Sequence, residues 1–210
     1  MKKIKSEIVN ASKKILGLGL NIGSEGNISF KHKDKIFITP SGIETSQLDE
    51  SLISEVDING DVKNFQKPSS EIFMHLYIYK QRPEVHCIVH CHSLWASVLS
   101  CNRKKIPAFH YMIAEFGGND IRCSKYATFG TKKLASNVLE AMNNRSGCLI
   151  SNHGQLTVSS NIKNAVNLAI ALEKLSKQYY FCSLIQGAKL LKSKEMIEVL
   201  KLFKNYKLKH

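Results

Sequence analysis

Acidic side chains are scarce in this 210-residue chain: 17 aspartates and glutamates stand against 30 lysines and arginines, for a formal net charge of +13. Aromatic residues are also few, 8% of the total with a single tryptophan. Hardly any sit among the lysines, so the basic regions offer no platform for stacking bases. The lysines thicken towards both ends, at Lys2, Lys3, Lys5, Lys13 and Lys14 and again at Lys201, Lys204, Lys207 and Lys209. That distribution reads as solvated helix faces, and no nucleic-acid partner is expected. The field can still concentrate a phosphorylated substrate. No Cys-x-x-Cys occurs among the six cysteines, which argues against a zinc knuckle, and their spacing suggests no disulfide framework. No apolar run reaches the roughly 20 residues of a membrane helix. Met1–Ser6 is basic and lacks the apolar stretch of a secretory signal. A reduced, cytoplasmic protein without a membrane partner is therefore expected.

With 43% hydrophobic and 22% charged residues, the chain has the balance of one folded domain over 1–210. Ile4, Ile8, Ala11, Ile15 and Leu18 recur at helical spacing and predict an amphipathic first helix. Glycines 17, 19, 23 and 26 then break regular structure. Short strands are expected at 28–30, 35–39 and 54–58, and a helix at 72–81 with Ser69 and Ser70 near its N-cap. A buried strand from 84 into the 88–92 region, a helix at 94–100 capped by Ser93, and an irregular stretch at 106–130 follow. Further helices are expected at 131–142, 162–184 and 194–204, strands at 148–151 and 156–159, and a short tail from about 204. Helices interleave with hairpin-like strand pairs. The fold class is α/β, a three-layer helix–sheet–helix sandwich on a mixed or antiparallel sheet.

The chain centres on Ile88-Val89-His90-Cys91-His92-Ser93. Side chains two apart on a strand share a face, so His90 and His92 project together and supply half of a metal site. His153, between a buried-looking strand and Gly154, is the natural third imidazole. Glu71, at a helix start, is the natural carboxylate. Three imidazoles and a carboxylate suit tetrahedral Zn²⁺ at about 2.0–2.2 Å per ligand, and another divalent first-row metal fits the same set. His32, His75, His86, His110 and His210 remain alternatives. Glu71 and His75, four apart on one helix face, form a rival pair. Gly26-Asn27, Ser41-Gly42 and Ser69-Ser70 each combine polar groups with accessible backbone N–H, the makings of an anion cradle if they converge beside the metal.

Several stretches together resemble the class II aldolase/adducin family, and within it the aldolases that split L-fuculose 1-phosphate. They are Gly26-Asn27-Ile28-Ser29, Ile38-Thr39-Pro40-Ser41-Gly42-Ile43, Lys67-Pro68-Ser69-Ser70-Glu71 and Ile88-Val89-His90-Cys91-His92. Residues 106–114, 117–121 and 126–131 and the pair His153-Gly154 complete the set, nearly end to end and in unchanged order. The resemblance implies zinc held by His90, His92 and His153, with Glu71 as a catalytic carboxylate that also reaches the metal. It implies a phosphate cradle of Gly26, Asn27, Ser41, Gly42, Ser69 and Ser70, and Tyr111 supplied by a neighbouring subunit. Phe129 would line the aldehyde pocket, and Tyr206 on a mobile tail (about 204–210) would close the site. The implied reaction is reversible cleavage of a ketose 1-phosphate to dihydroxyacetone phosphate and a small aldehyde such as L-lactaldehyde, in a homotetramer with sites between subunits. The rival activities are a 5-deoxyribulose- or methylthioribulose-1-phosphate aldolase or dehydratase and a ribulose-5-phosphate 4-epimerase. The epimerase branch resembles Ser-Ser-Asp where this chain has Ser69-Ser70-Glu71. A non-catalytic adducin-like module would lack the histidines. Three positions depart from the pattern: Ser41 replaces a common threonine, Glu25 brings a carboxylate near the phosphate loop, and Lys207 replaces a glycine in the tail.

Overall fold

A computed structural model describes residues 1–209, with side chains through 205. Its centre is a six-stranded sheet of β1 (Asn27–His32), β2 (Lys35–Ile38), β3 (Ser54–Asp57), β4 (Cys87–Cys91), β7 (Gly147–Ile150) and β8 (Gly154–Ser159). The spatial order is β3-β2-β1-β4-β8-β7, and every neighbouring pair is antiparallel. Two short strands, β5 (Ile106–Pro107) and β6 (Asp120–Ile121), pair separately. They and a 3-10 helix at Tyr111–Phe116 lie in the stretch expected to be irregular. Too few residues alternate there for either element to be legible in the sequence.

Helices cover both sheet faces, completing the three layers. α1 (Lys2–Gly17) and α5 (Ile162–Leu184) pack on one face, where Ile8, Ile15, Val166 and Ala169 meet Ile28, Phe37, Cys87, Val89 and Cys91. α2 (Ile72–Gln81) and α4 (Lys132–Ala141) pack on the other, where Met74, Ile78, Leu134 and Val138 meet Ile36, Ile88, Cys148 and Leu156. β4 shows why both sides are filled. All five of its residues are buried, and the odd and even positions feed opposite cores. Ile88 faces α2, so His90, two residues on, faces α2 as well. A third cluster joins α3 (Leu94–Ser100), the 3-10 helix, the outer half of α5 and Met196 of α6 (Ser193–Lys209). No described helix is long and apolar enough to cross a membrane.

Some boundaries differ from expectation. β4 starts at Cys87, because Arg82 to Val85 form a turn in which the Val85 N–H donates to the Arg82 carbonyl. α6 runs to Lys209, past residue 204 where the tail was expected to begin. The expected cap serines behave differently from one another. Glu71 occupies the N-cap position of α2, and the Ser69 hydroxyl instead accepts from the Glu71 N–H at 3.3 Å. At α3 the Ser93 hydroxyl donates to Glu173 of α5 at 2.6 Å.

Close backbone approach fixes the bottom of the sheet. A Cβ on Gly154 would stand 2.3 Å from the Cys91 carbonyl oxygen and 3.2 Å from the His92 Cα. Only glycine lets β8 lie against β4 beside both His92 and His153. Gly154→Ala should destabilise the protein by about 1–3 kcal/mol, the usual cost of overpacking a tight site. The urea unfolding midpoint measures it, and an unchanged midpoint would contradict the close contact.

Candidate metal centre and anion cleft

Strand register brings the key groups together. Asn27 of β1 lies directly opposite His90 of β4, and Gln155 of β8 opposite Cys91. Cross-strand partners share a face, so Asn27 and His90 both look towards the start of α2, where Glu71 sits. His153 arrives from the β7–β8 turn, preceded by Asn152 with a φ of 54°. The result is one cluster. His90 Nε2 is 3.0 Å from His92 Nε2, and His153 Nε2 is 2.9 Å from His92 Nε2. Glu71 Oε2 is 3.0 Å from His90 Nε2, and Glu71 Oε1 is 3.5 Å from His153 Nε2. All four ligand atoms fall within 4.8 Å of one another. Tetrahedral ligands about 2.0–2.1 Å from a zinc ion stand roughly 3.3 Å apart, so this spacing fits a shared cation.

Two further observations test that fit. Glu71 Oε1 is buried and has no hydrogen-bond partner, a costly state for a carboxylate oxygen unless a cation faces it. His90 Nδ1 lies 2.7 Å from the Gln155 carbonyl, which can only accept. Nδ1 therefore carries the proton, and a neutral His90 points a bare Nε2 lone pair into the cluster. The Nε2 atoms of three rings and a carboxylate gather within 4.8 Å of one another, which is the donor set of a divalent metal.

The charges agree. Burial opposes ionisation of Glu71, yet His90, and then His153 and Asn27, hold its carboxyl well below the usual range. Burial also disfavours a charged His90, but Glu71 outweighs it and leaves His90 more basic than an ordinary histidine. His92 and His153 are lowered to about 4 by burial and by the neighbouring His90 charge.

The centre opens into a cleft of about 490 Å³, within the range of small-ligand sites. Gly26, Asn27, Ser41, Gly42, Ser69 and Ser70 all line it together with Glu71, His92 and His153. The three turn segments thus converge beside the metal ligands. No lysine or arginine lines the cleft among the described residues. Gly26 (φ +65°) and Gly42 (φ +73°) hold left-handed turns that expose backbone to the cleft. Tyr126 and Phe129, 54% and 66% exposed, flank the opposite rim. Glu25 also lines the cleft, but its carboxylate accepts the Ile22 N–H at 3.1 Å, which ties it to its own turn.

Other candidates separate from the centre. Tyr111 is 52% exposed, stacks on His110 and does not line the cleft of its own chain. The side chains of Tyr206 and His210 lie outside the described residues. His75, the rival partner of Glu71, is fully buried and bonded through both ring nitrogens, to Ser29 Oγ and Asn27 Oδ1 at 2.6 Å each. It holds no lone pair towards the cluster. His86 Nδ1 lies 3.3 Å from the Lys31 carbonyl, on the far end of β1.

Sequence reasoning missed the supports. Glu173 accepts from the Ser93 hydroxyl and from the Trp95 and Ala96 N–H groups at 2.6–2.9 Å, and so caps α3 from another helix. Gln155 donates to Ser93 at 2.7 Å, and Asn21 accepts the His92 N–H at 2.8 Å. One signal was available. Ala169, Glu173 and Ser176 fall at i, i+4 and i+7 on the buried stripe of α5, and a carboxylate on such a stripe needs partners.

Residues 6–180 match the family of class II aldolase and adducin N-terminal domains. The chain is 41% identical over 199 residues to a 5-methylthioribulose-1-phosphate/5-deoxyribulose-1-phosphate aldolase of Rhodospirillum rubrum, covering 95% of this chain and 90% of the relative. It is 37% identical over 208 residues to the L-fuculose phosphate aldolase of Escherichia coli strain K12, covering 99% and 97%. A solved L-fuculose 1-phosphate aldolase superposes with a TM-score of 0.94 at 39% identity, covering 97% of each chain. The fold, the metal-ligand cluster and this similarity agree: the chain belongs to the class II aldolase and adducin family, on its metal-dependent aldehyde-lyase side.

Proposed function

We propose that this aldolase reversibly cleaves a deoxyketose 1-phosphate, L-fuculose 1-phosphate or its 5-deoxyribulose and methylthioribulose analogues, to dihydroxyacetone phosphate and a small aldehyde. Zn²⁺ is the proposed cofactor. The observation that carries the reading is the meeting of two sites. Three imidazoles and a carboxylate cluster at a cleft that His92, His153 and Glu71 line on one side and hydroxyls and glycine backbone on the other. One end suits the ketone and the other the phosphate.

Breaking a carbon–carbon bond beside a ketone leaves an electron pair on carbon, and a bound divalent cation supplies the positive charge that stabilises it. No lysine lines the cleft to do this through a Schiff base. The remaining tasks fall to the chain. Ser41, Gly42, Ser69 and Ser70 hold the phosphate, so that the reacting carbons sit at a fixed distance from Glu71. Glu71, which would leave the metal as substrate arrives, exchanges the proton at carbon through Oε1, the oxygen with no hydrogen-bond partner, while Asn27 keeps Oε2 in place at 3.1 Å. Phe129 bounds the aldehyde end. Tyr111 exchanges the proton on the aldehyde oxygen in a neighbouring subunit's cleft, within a homotetramer. Its exposed position outside its own cleft supports that assignment. Tyr206 is proposed to close the site.

Incubating zinc-loaded protein with each of the three ketose 1-phosphates and trapping the aldehyde should yield dihydroxyacetone phosphate from at least one. Water elimination or epimerisation without cleavage would overturn the aldolase reading. Glu71→Gln should retain the metal yet lose about 10²–10⁴ of turnover, the usual range for a general acid–base group. Normal turnover in that variant would assign the proton transfer elsewhere. Metal affinity should depend on pH with a definite sign. Imidazoles bind only when neutral, His90 is raised above 6.5, and His92 and His153 lie near 4. Zinc affinity of the stripped protein should therefore rise about tenfold per pH unit until His90 is neutral, then level off. A flat titration below about pH 6.5 would contradict that coupling.

A further inference from the structure

His75 takes no part in the metal centre, yet it is a buried imidazole with both nitrogens engaged. Its surroundings follow from register. Ser29 of β1 sits opposite Ile88 and Asn27 opposite His90, so both present side chains to α2. On α2, His75 and Tyr79 are one turn apart and face them. The contacts form a single file. Tyr79 Oη is 2.7 Å from Ser29 Oγ, Ser29 Oγ is 2.6 Å from His75 Nδ1, and His75 Nε2 is 2.6 Å from Asn27 Oδ1. Asn27 Nδ2 then reaches both Ser69 Oγ and Glu71 Oε2 at 3.1 Å.

The direction of every hydrogen in this file is set at one end. Glu71 is ionised, so Asn27 must present its amide N–H groups to it and its carbonyl to His75. The carbonyl only accepts, so His75 carries its proton on Nε2. Nδ1 then accepts from the Ser29 hydroxyl, and Ser29 in turn accepts from Tyr79, whose hydroxyl also lies 3.3 Å from the His86 carbonyl. Burial lowers His75 to about 3, so the ring stays neutral and the pattern does not invert at working pH. A carboxamide does not relay protons readily, so the file orients and does not conduct. Asn27 has two N–H groups, and both are spent inside the protein, one on the cradle serine and one on the carboxylate.

We propose that His75 is a positioning residue that acts through Asn27, locking the amide so that Glu71 is held by Oε2 with Oε1 directed at the substrate carbon. The inference rests on the reading of Glu71 as the proton-transfer group. It also makes Asn27 a link between phosphate seat and proton donor, with no N–H left for the phosphate itself.

The test uses full-length zinc-loaded protein and release of dihydroxyacetone phosphate from 5-deoxyribulose 1-phosphate and L-fuculose 1-phosphate. His75→Leu should lower kcat by about 10–100-fold, the usual effect of removing such a support. His75→Gln, which keeps an N–H donor towards Asn27, should recover most of it. Placed in a Glu71→Gln background, His75→Leu should cost nothing further. An equal loss in both backgrounds, or native kcat in folded His75→Leu, overturns the proposal. Should His75→Leu fail to fold, Ser29→Ala carries the same comparison: a several-fold loss in kcat confined to the Glu71 background supports the proposal, and no loss overturns it. Independently of activity, ¹⁵N-histidine NMR of the metal-free protein should show His75 neutral with its proton on Nε2. A proton on Nδ1 overturns the file. If Glu71→Gln alone is fully active, the underlying reading of Glu71 fails whatever His75 does, while the NMR result still reports on the file.

Discussion

An ionised carboxylate buried beside three imidazoles is the constraint on which this structure turns. Glu71 is only 7% exposed, and a lone charge at such a depth is unfavourable by several kcal/mol. Everything around it lowers that cost. His90 stands 3.0 Å away, Asn27 donates to one oxygen, and the second oxygen faces the point where the three rings converge. Asn27 and His90 are cross-strand partners, and that register closes the arrangement.

Rigidity around the centre comes from elements remote in sequence. Glu173 caps α3 and grips Ser93, next to His92, while Gln155 bonds that same serine and offers its carbonyl to His90. On the other side the file from Tyr79 to Asn27 orders the carboxylate. His90, Glu71 and the backbone at His92 are therefore each braced by a partner remote in sequence.

Much of this was legible in the residues, for identifiable reasons. Strand periodicity placed His90 and His92 on one side, and the His153-Gly154 pair marked a close backbone approach that the Cys91 carbonyl now explains. The helix over 72–81 and its start at Glu71 followed from Pro68 and the serines. Other features were hidden. The choice between His75 and the clustered histidines depends on which way α2 is rotated, which a four-residue spacing leaves open. Ser93 stands at the expected N-cap of α3, but its hydroxyl turns to Glu173, because a serine beside a helix reads alike whether it bonds its own backbone or a distant carboxylate. The β5–β6 pair offers two residues per strand, too short for any period to register.

The cleft has a consequence for how charge is used. The chain is strongly basic overall, +13, yet no cationic side chain lines the cleft among the described residues. Long-range attraction and short-range grip are thereby separated. On the proposed reading, an incoming phosphate ester is drawn by a diffuse field that salt screens over about 10 Å, then held by neutral hydroxyl and amide dipoles that salt barely touches. Ionic strength should accordingly alter how fast such a ligand arrives far more than how long it stays, and product carrying the same phosphate can leave without breaking an ion pair.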